Sequence, residues 1–336
     1  MDKILTDDSK IAGLVELIKR SNVPHEPEST THSFTWTSDI QSLANSYFAI
    51  VAICHQTTPI GERRLEGHIN DVVKYGWDYL KEKFLTVALR DPKWISCDYW
   101  QNITPIELSE LYHDEICGKT LNRVSERTFF LNNLGNILKV YGYTNIADAF
   151  AKHHHILGGE LGFLNFLKRF EAYKDPVMKK SLFFVSIMLN ECQWSVQDQA
   201  LLSSPIDYHE LRGHLRIGTL VLQDKNFARK VQNGLVMTEE EDIELHTKVQ
   251  AINAQIAQQA GLSSSRIHYL FWNIFRNCCP RESNKTHCTQ CGSAWSLIEE
   301  YKTMLTYESQ CLFSHICDSA NKPNKVIEPA YKGHYY

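Results

Sequence analysis

In LSSPIDYHEL (202–211) a single carboxylate, Asp207, stands between an irregular, proline-bearing segment and the first turn of a helical pattern. Two kinds of chemistry suit that position. As a helix cap, the side chain accepts hydrogen bonds from backbone N–H groups of the first turn. As a catalytic group, an ionised carboxylate stabilises positive charge developing on a substrate and orients or deprotonates a water, and the positive end of a helix suits the ionised form. The two roles are compatible. Glu210 is the reserve carboxylate, and His209 reads as a surface or packing residue.

A second chemical signal lies in RNCCPRESNKTHCTQCGS (276–293), where Cys278, Cys279, Cys288 and Cys291 fall within fourteen residues. The C-x-x-C pair Cys288/Cys291 has the spacing at which two thiolates on a tight turn grip one metal ion. Side chains of adjacent cysteines diverge, so one of Cys278 and Cys279 is expected to stand aside, with His287, Cys311 or Cys317 as the missing fourth ligand. Thiolates suit structural zinc and a [4Fe–4S] cluster alike, and both stay open for a metal-binding loop at 276–292. Reduced cysteines without metal are the plain alternative. A redox dithiol lacks the strand that should feed it.

The elements that must position these groups read as helices. Thr104-Pro105-Ile106-Glu107 is a capping box with proline at the first helical position, and Thr238 with Glu241 repeats the box ahead of an amphipathic stretch that stops at Gly261. ERTFFLNNLGNILKVYG and GELGFLNFLKRFEAY space their apolar residues by three and four, the first ending at Gly142. SYFAIVAICHQTT fits either a strand or a buried helix. The expected fold is all-α. A polar, proline-bearing stretch at 23–39 gives an expected organisation of N-terminal helix and arm over 1–44, then one helical domain over 45–336.

With 336 residues, 43% hydrophobic and 22% charged, the chain can bury a sizeable core. Its net charge of −4 argues against coating nucleic acid through bulk electrostatics but leaves room for a local basic groove. The pairs Arg63/Arg64, Lys168/Arg169, Lys179/Lys180 and Arg212/Arg216 read as solvated surface charge. The most apolar run, Leu182 to Leu189, is far shorter than a membrane span, so no membrane partner is expected. MDKILTDDSK lacks the features of a secretory signal, and a cytoplasmic monomer is expected, in which ten cysteines are no disulfide framework.

Several ordered segments carry a resemblance. ICHQTT, YGWDYLKEKF, SERTFFLNNLGNILKVYG, KKSLFFVSIMLNECQW, IDYHELRGHLRIGTLV, RIHYLFWNIFR and the terminal HYY together resemble the queuosine-salvage N-glycosidase family over most of the chain from about residue 45. Those enzymes hydrolyse the N-glycosidic bond of a deazaguanine nucleotide on a fold similar to that of helix–hairpin–helix DNA glycosylases. The cysteine cluster departs from that family and instead resembles glycosylases of the endonuclease III and adenine-glycosylase type. Their LPGVG hairpin is missing, with LRGHLRIG a remote echo. The set is also similar to phage-defence glycosylases that excise glucosylated hydroxymethylcytosine.

The resemblance implies cleavage of an N-glycosidic bond through an oxocarbenium-like transition state, with Asp207 as the carboxylate that stabilises it. Asn190 and Gln193 would meet a base's Watson–Crick edge, Trp194 would stack on its face, and His55 and Gln56 stand where the family places base contacts. Arg276, Arg281 and Lys285 would touch the DNA backbone. Lys179 and Lys180 read as surface residues flanking an apolar helix, so no Schiff-base lysine is expected and the reaction reads as monofunctional hydrolysis. The leading expectation is a DNA N-glycosylase acting on a modified base in double-stranded DNA. A nucleotide N-glycosidase for base salvage, with a small-molecule substrate, is the alternative that suits the negative charge. A non-catalytic, metal-stabilised nucleic-acid-binding module is the alternative from another class.

Overall fold

The computed structural model describes residues 3–24, 40–59, 61–279, 281, 299–304, 311–320, 322, 326 and 328–335. The chain is mainly helical, with helices α1 (Asp8–Arg20), α2 (Ile40–Ala52), α3 (Gly76–Arg90), α4 (Cys97–Trp100), α5 (Pro105–Leu111), α6 (Val124–Val140) and α7 (Ile146–Lys152). They continue as α8 (Phe163–Leu167), α9 (Lys179–Glu191), α10 (Tyr208–Ile217), α11 (Lys225–Gln232), α12 (Glu239–Ala260), α13 (Ser264–Cys278) and α14 (Glu299–Lys302). Short strands qualify the all-α expectation: β1 (Ile4–Thr6), β2 (Glu66–Ile69), β3 (Val72–Tyr75), β4 (His113–Asp114), β5 (Gly118–Lys119) and β6 (Leu220–Leu222). They pair antiparallel as β1–β6, β2–β3 and β4–β5. Strands of two to four residues are too short to show a period, which is why the sequence pattern missed them. No helix among the described residues is long and apolar enough to cross a membrane.

The chain packs as two units, Met1–Pro27 with Leu202–Gly333, and Glu28–Leu201 with His334–Tyr336. The units part inside the stretch read as an N-terminal arm and again near residue 201. In the first, Ile11, Leu14, Val15 and Ile18 recur at helical spacing along α1 and are buried with Leu245, Val249, Ile252 and Ile256 of α12. Each such side chain contributes ~1.5–3 kcal/mol over leaving it in water. β1 extends this unit by pairing Ile4 with Leu222. α10 packs against α12 and α13, which sets the helix that begins after Asp207 in the middle of the apolar layer.

In the second unit α2 is buried all round from Ala44 to Ala52, the signature of a core helix, and α3, α6, α7 and α9 pack on it. This decides the strand-or-helix question of SYFAIVAICHQTT for a helix. Both capping boxes form as expected, Thr104 with Glu107 and Thr238 with Glu241, and α12 ends on left-handed Gly261. GELGFLNFLKRFEAY makes only the short α8 and one turn of 3-10 helix at Glu171–Tyr173. α6 approaches α4 through Gly135, where a Cβ would lie 2.4 Å from Cys97 O and 2.8 Å from Gln101 N. Backbone cannot rotate out of the way. Gly135→Ala is therefore expected to destabilise the protein by about 1–3 kcal/mol, read from urea unfolding midpoints.

Candidate active-site residues and cysteine cluster

Asp207 caps α10. Its Oδ1 accepts from His209 N at 2.8 Å and Glu210 N at 3.2 Å, while its backbone is extended, so the carboxylate is fixed at the helix start. Oδ2 has no hydrogen-bond partner among the described residues. The side chain is largely buried yet keeps an oxygen to offer.

Glu210, the reserve carboxylate, is engaged at both oxygens. It is wholly buried, Oε1 meets His268 Nδ1 at 2.6 Å and Oε2 accepts from Asn253 Nδ2 at 2.7 Å. Burial raises its carboxyl above the usual range, opposed by His268. His209 lies on Tyr208 and accepts at Nδ1 from Arg212 Nη2 at 2.9 Å, a packing role as expected.

Arg212 and Arg216 correct the surface-charge expectation. Both are buried, because partners distant in sequence satisfy their donors. Arg212 pairs with buried Glu328 and donates to Cys279 O and Phe275 O, while Arg216 donates to Val326 O and Arg281 O. Arg281 in turn meets Glu328 Oε1 at 2.6 Å and lies over the Tyr208 ring. It is engaged inside the unit. Arg276 stacks over Trp272 at 4.7 Å on the last turn of α13, and Lys285 lies outside the described residues.

The base-contact candidates belong to the second unit. Asn190 lies half-buried in the last turn of α9, and Gln193, exposed, takes a left-handed backbone with φ 54°. Trp194 stacks on Phe150 with centroids 4.0 Å apart and stands edge-on to Phe163 and Phe184, so one ring face is committed to the core. Gln56 is left-handed too, with φ 45, and its carbonyl accepts from Asn122.

His55 is wholly buried in a cluster that sequence reasoning missed. Its Nε2 lies 2.8 Å from Glu126 Oε1 but off the hydrogen-bonding direction. The rings of His55 and His334 flank Phe130 at 5.5 and 5.0 Å, and Lys180 Nζ stands 5.2 Å from the same ring. Arg127 donates to Ile53 O, His55 O, Asn122 O and Asn122 Oδ1, holding the turn after α2. The available signal was a charge at apolar-face spacing: Arg127 four residues before Leu131, and Lys180 four before Phe184, all buried.

Lys180 is fully buried rather than on the surface, donating to Ala52 O at 2.8 Å with His55 Nδ1 at 3.4 Å. Burial lowers its ammonium to about 7, and burial with the Arg127 and Lys180 charges keeps the His55 imidazole neutral. In an unfolded chain a lysine titrates near 10.4, so between pH ~7 and ~10 the unfolded state binds the extra proton. Stability therefore rises with pH across that window. Compared with Lys180→Met, the wild type is expected to gain melting temperature steadily from pH 7 to pH 10, as thermal scans at fixed ionic strength would show.

The cysteines gather in part. Cys278 is buried at the end of α13, and Cys279 Sγ accepts from Arg216 Nη1 at 3.1 Å. Cys317 Sγ donates to Arg216 O at 3.2 Å. Cys279, Cys311 and Cys317 line one cavity of about 20 Å³ with Gly213, Arg216 and Phe313. That volume holds about one water-sized sphere. Two of the cysteines named as a fourth ligand thus share a cavity with Cys279, while His287 and the C-x-x-C pair Cys288/Cys291 lie outside the described residues.

No family model matches the chain, and a search of the curated proteins returns no match.

Proposed function

We propose that the chain is a monofunctional N-glycosylase that hydrolyses the bond between the sugar and a modified base in DNA, on a helix–hairpin–helix glycosylase architecture. The observation that carries this reading is the state of Asp207: one oxygen locked by two amides, the other without a partner among the described residues. A carboxylate so held needs no reorganisation when positive charge appears on the sugar, which is the condition for strong electrostatic stabilisation. Oδ2 would also orient the water that attacks the anomeric carbon. Glu210 is the less suited of the two, since it is wholly buried and tied to His268 and Asn253.

Asn190 and Gln193 are the proposed contacts to the flipped base, and the resemblance to phage-defence enzymes makes a bulky hypermodified cytosine the proposed base. Hydrolysis without a Schiff base is proposed because no lysine follows Asp207 closely in the chain, the next being Lys225. Cys278 or Cys279, with Cys288 and Cys291 and one of His287, Cys311 or Cys317, are the proposed ligands of a structural zinc ion or a [4Fe–4S] cluster, which would supply rigidity rather than chemistry.

A second reading, a nucleotide N-glycosidase in base salvage, draws on the internal engagement of Arg281 with Glu328, which takes one cation from the proposed DNA grip. One experiment separates them. The purified chain is incubated with unmodified phage DNA, hypermodified phage DNA and deazaguanine 5′-monophosphates, and released bases are identified by mass spectrometry. Release of one modified base from DNA is the expected result. Hydrolysis of the monophosphate alone would move the protein to salvage.

A further inference from the structure

In the second unit, two short hairpins bring together three potential ligands that the proposed reaction does not use. Asn70 and Asp71, both with positive φ, close the β2–β3 hairpin in a two-residue turn, and His68 projects from β2. Asp114 ends β4 and Cys117 is the last residue of the tight β4–β5 turn, a D-x-x-C spacing comparable to the C-x-x-C knuckle in placing two ligands on one turn. His68 Nδ1, one Asp114 carboxylate oxygen and Cys117 Sγ all lie within 4.8 Å of one another.

We infer that His68, Asp114 and Cys117 form a binding site for a zinc-class divalent transition-metal ion. His68 Nδ1 stands 3.1 Å from Asp114 Oδ1 and 3.9 Å from Cys117 Sγ. Tetrahedral zinc, with bonds of about 2.0–2.1 Å to N and O and about 2.3 Å to S, places N and O ligands about 3.3 Å apart and N and S ligands about 3.6 Å apart. The observed separations match within a few tenths of an ångström. Asp114 is already oriented as a ligand: Oδ2 accepts from His68 N at 2.7 Å, and Oδ1 from Ile116 N at 3.1 Å and Cys117 N at 2.7 Å. Such outer hydrogen bonds fix a ligating carboxylate.

The donor set selects the ion. Imidazole with thiolate favours zinc or cobalt over magnesium or calcium, which prefer oxygen alone. Asp114 is buried, whereas His68 and Cys117 are partly open, which leaves the fourth position to solvent. On binding, the neutral imidazole carries its single proton on Nε2 instead of Nδ1, which frees Nδ1 for the ion, and the Cys117 thiol releases one proton to solvent. The consequence for the fold is a cross-link between the hairpins β2–β3 and β4–β5.

The test uses the full chain, stripped of metal and titrated with Co²⁺ alone. Metal content per chain is measured after dialysis, and visible absorption reports thiolate-bound tetrahedral cobalt. Cys117→Ser and His68→Gln keep the turn that Asp114 builds and differ only in one ligand each. Each is expected to bind one equivalent fewer than the wild type, or to bind it at least about tenfold more weakly, with an unchanged metal-free circular dichroism spectrum. The C-terminal cysteines serve as an internal reference, because any ion they hold survives both substitutions. Equal stoichiometry and affinity in wild type and both variants would overturn the site.

Discussion

Asp207→Asn is expected, on the proposed glycosylase reaction, to lower the single-turnover rate of base release by about 10²–10³, with little change in melting temperature. The pairing of a large kinetic effect with a small thermal one follows from what asparagine keeps. Asn and Asp cap helices about equally well, so the bonds that Asp207 Oδ1 accepts from His209 N and Glu210 N persist in the variant. What disappears is the negative charge, and charge is what an oxocarbenium-like transition state requires. Asp207→Ala provides the contrast. It loses the cap as well, at about 0.5–2 kcal/mol, so its melting temperature falls together with its activity. Undiminished base release by Asp207→Asn, measured on hypermodified phage DNA, would show that Asp207 is a cap and nothing more.

Arg212→Met is expected to cost about 3–5 kcal/mol, the largest thermal effect among these substitutions, because it removes one partner of a buried ion pair. Arg212 and Glu328 are both nearly inaccessible to water, and the same guanidinium satisfies Cys279 O and Phe275 O at the end of α13. Truncation leaves the Glu328 charge buried with Arg281 as its one remaining ion-pair partner among the described residues, and two carbonyls at the end of α13 without this donor. At roughly 2–4 °C per kcal/mol for chains of this scale, the melting temperature should fall by roughly 6–20 °C. Arg212→Met combined with Glu328→Gln should recover much of the loss, since the stranded carboxylate is then gone. A loss below about 1 kcal/mol in the single variant would mean that the pair contributes no more than an exposed one. The same arginine ties the C-terminal segment and Cys279 to α10, so the variant should also weaken any metal held by the cysteine cluster.

Local interactions were legible in the sequence because the groups that make them are neighbours in the chain. The capping boxes at Thr104 and Thr238, the stop at Gly261 and the cap at Asp207 each close within about one helical turn, and all form as read. The helical character of α6 and α12 followed from apolar spacing together with the stop at Gly142 and, for α12, the capping box and the stop at Gly261. The hairpins did not announce themselves, for His68 to Asp114 spans 46 residues and their strands are too short for a period to show. Nor did burial of charge. Arg212 finds Glu328 across 116 residues and Lys180 finds Ala52 across 128, so residues read as solvated became core. By itself, the sequence determined where helices begin and end and which carboxylate stands at a helix start. Only the tertiary structure decided which charged groups leave water, because a buried charge is tolerated only where distant parts of the chain supply its hydrogen bonds.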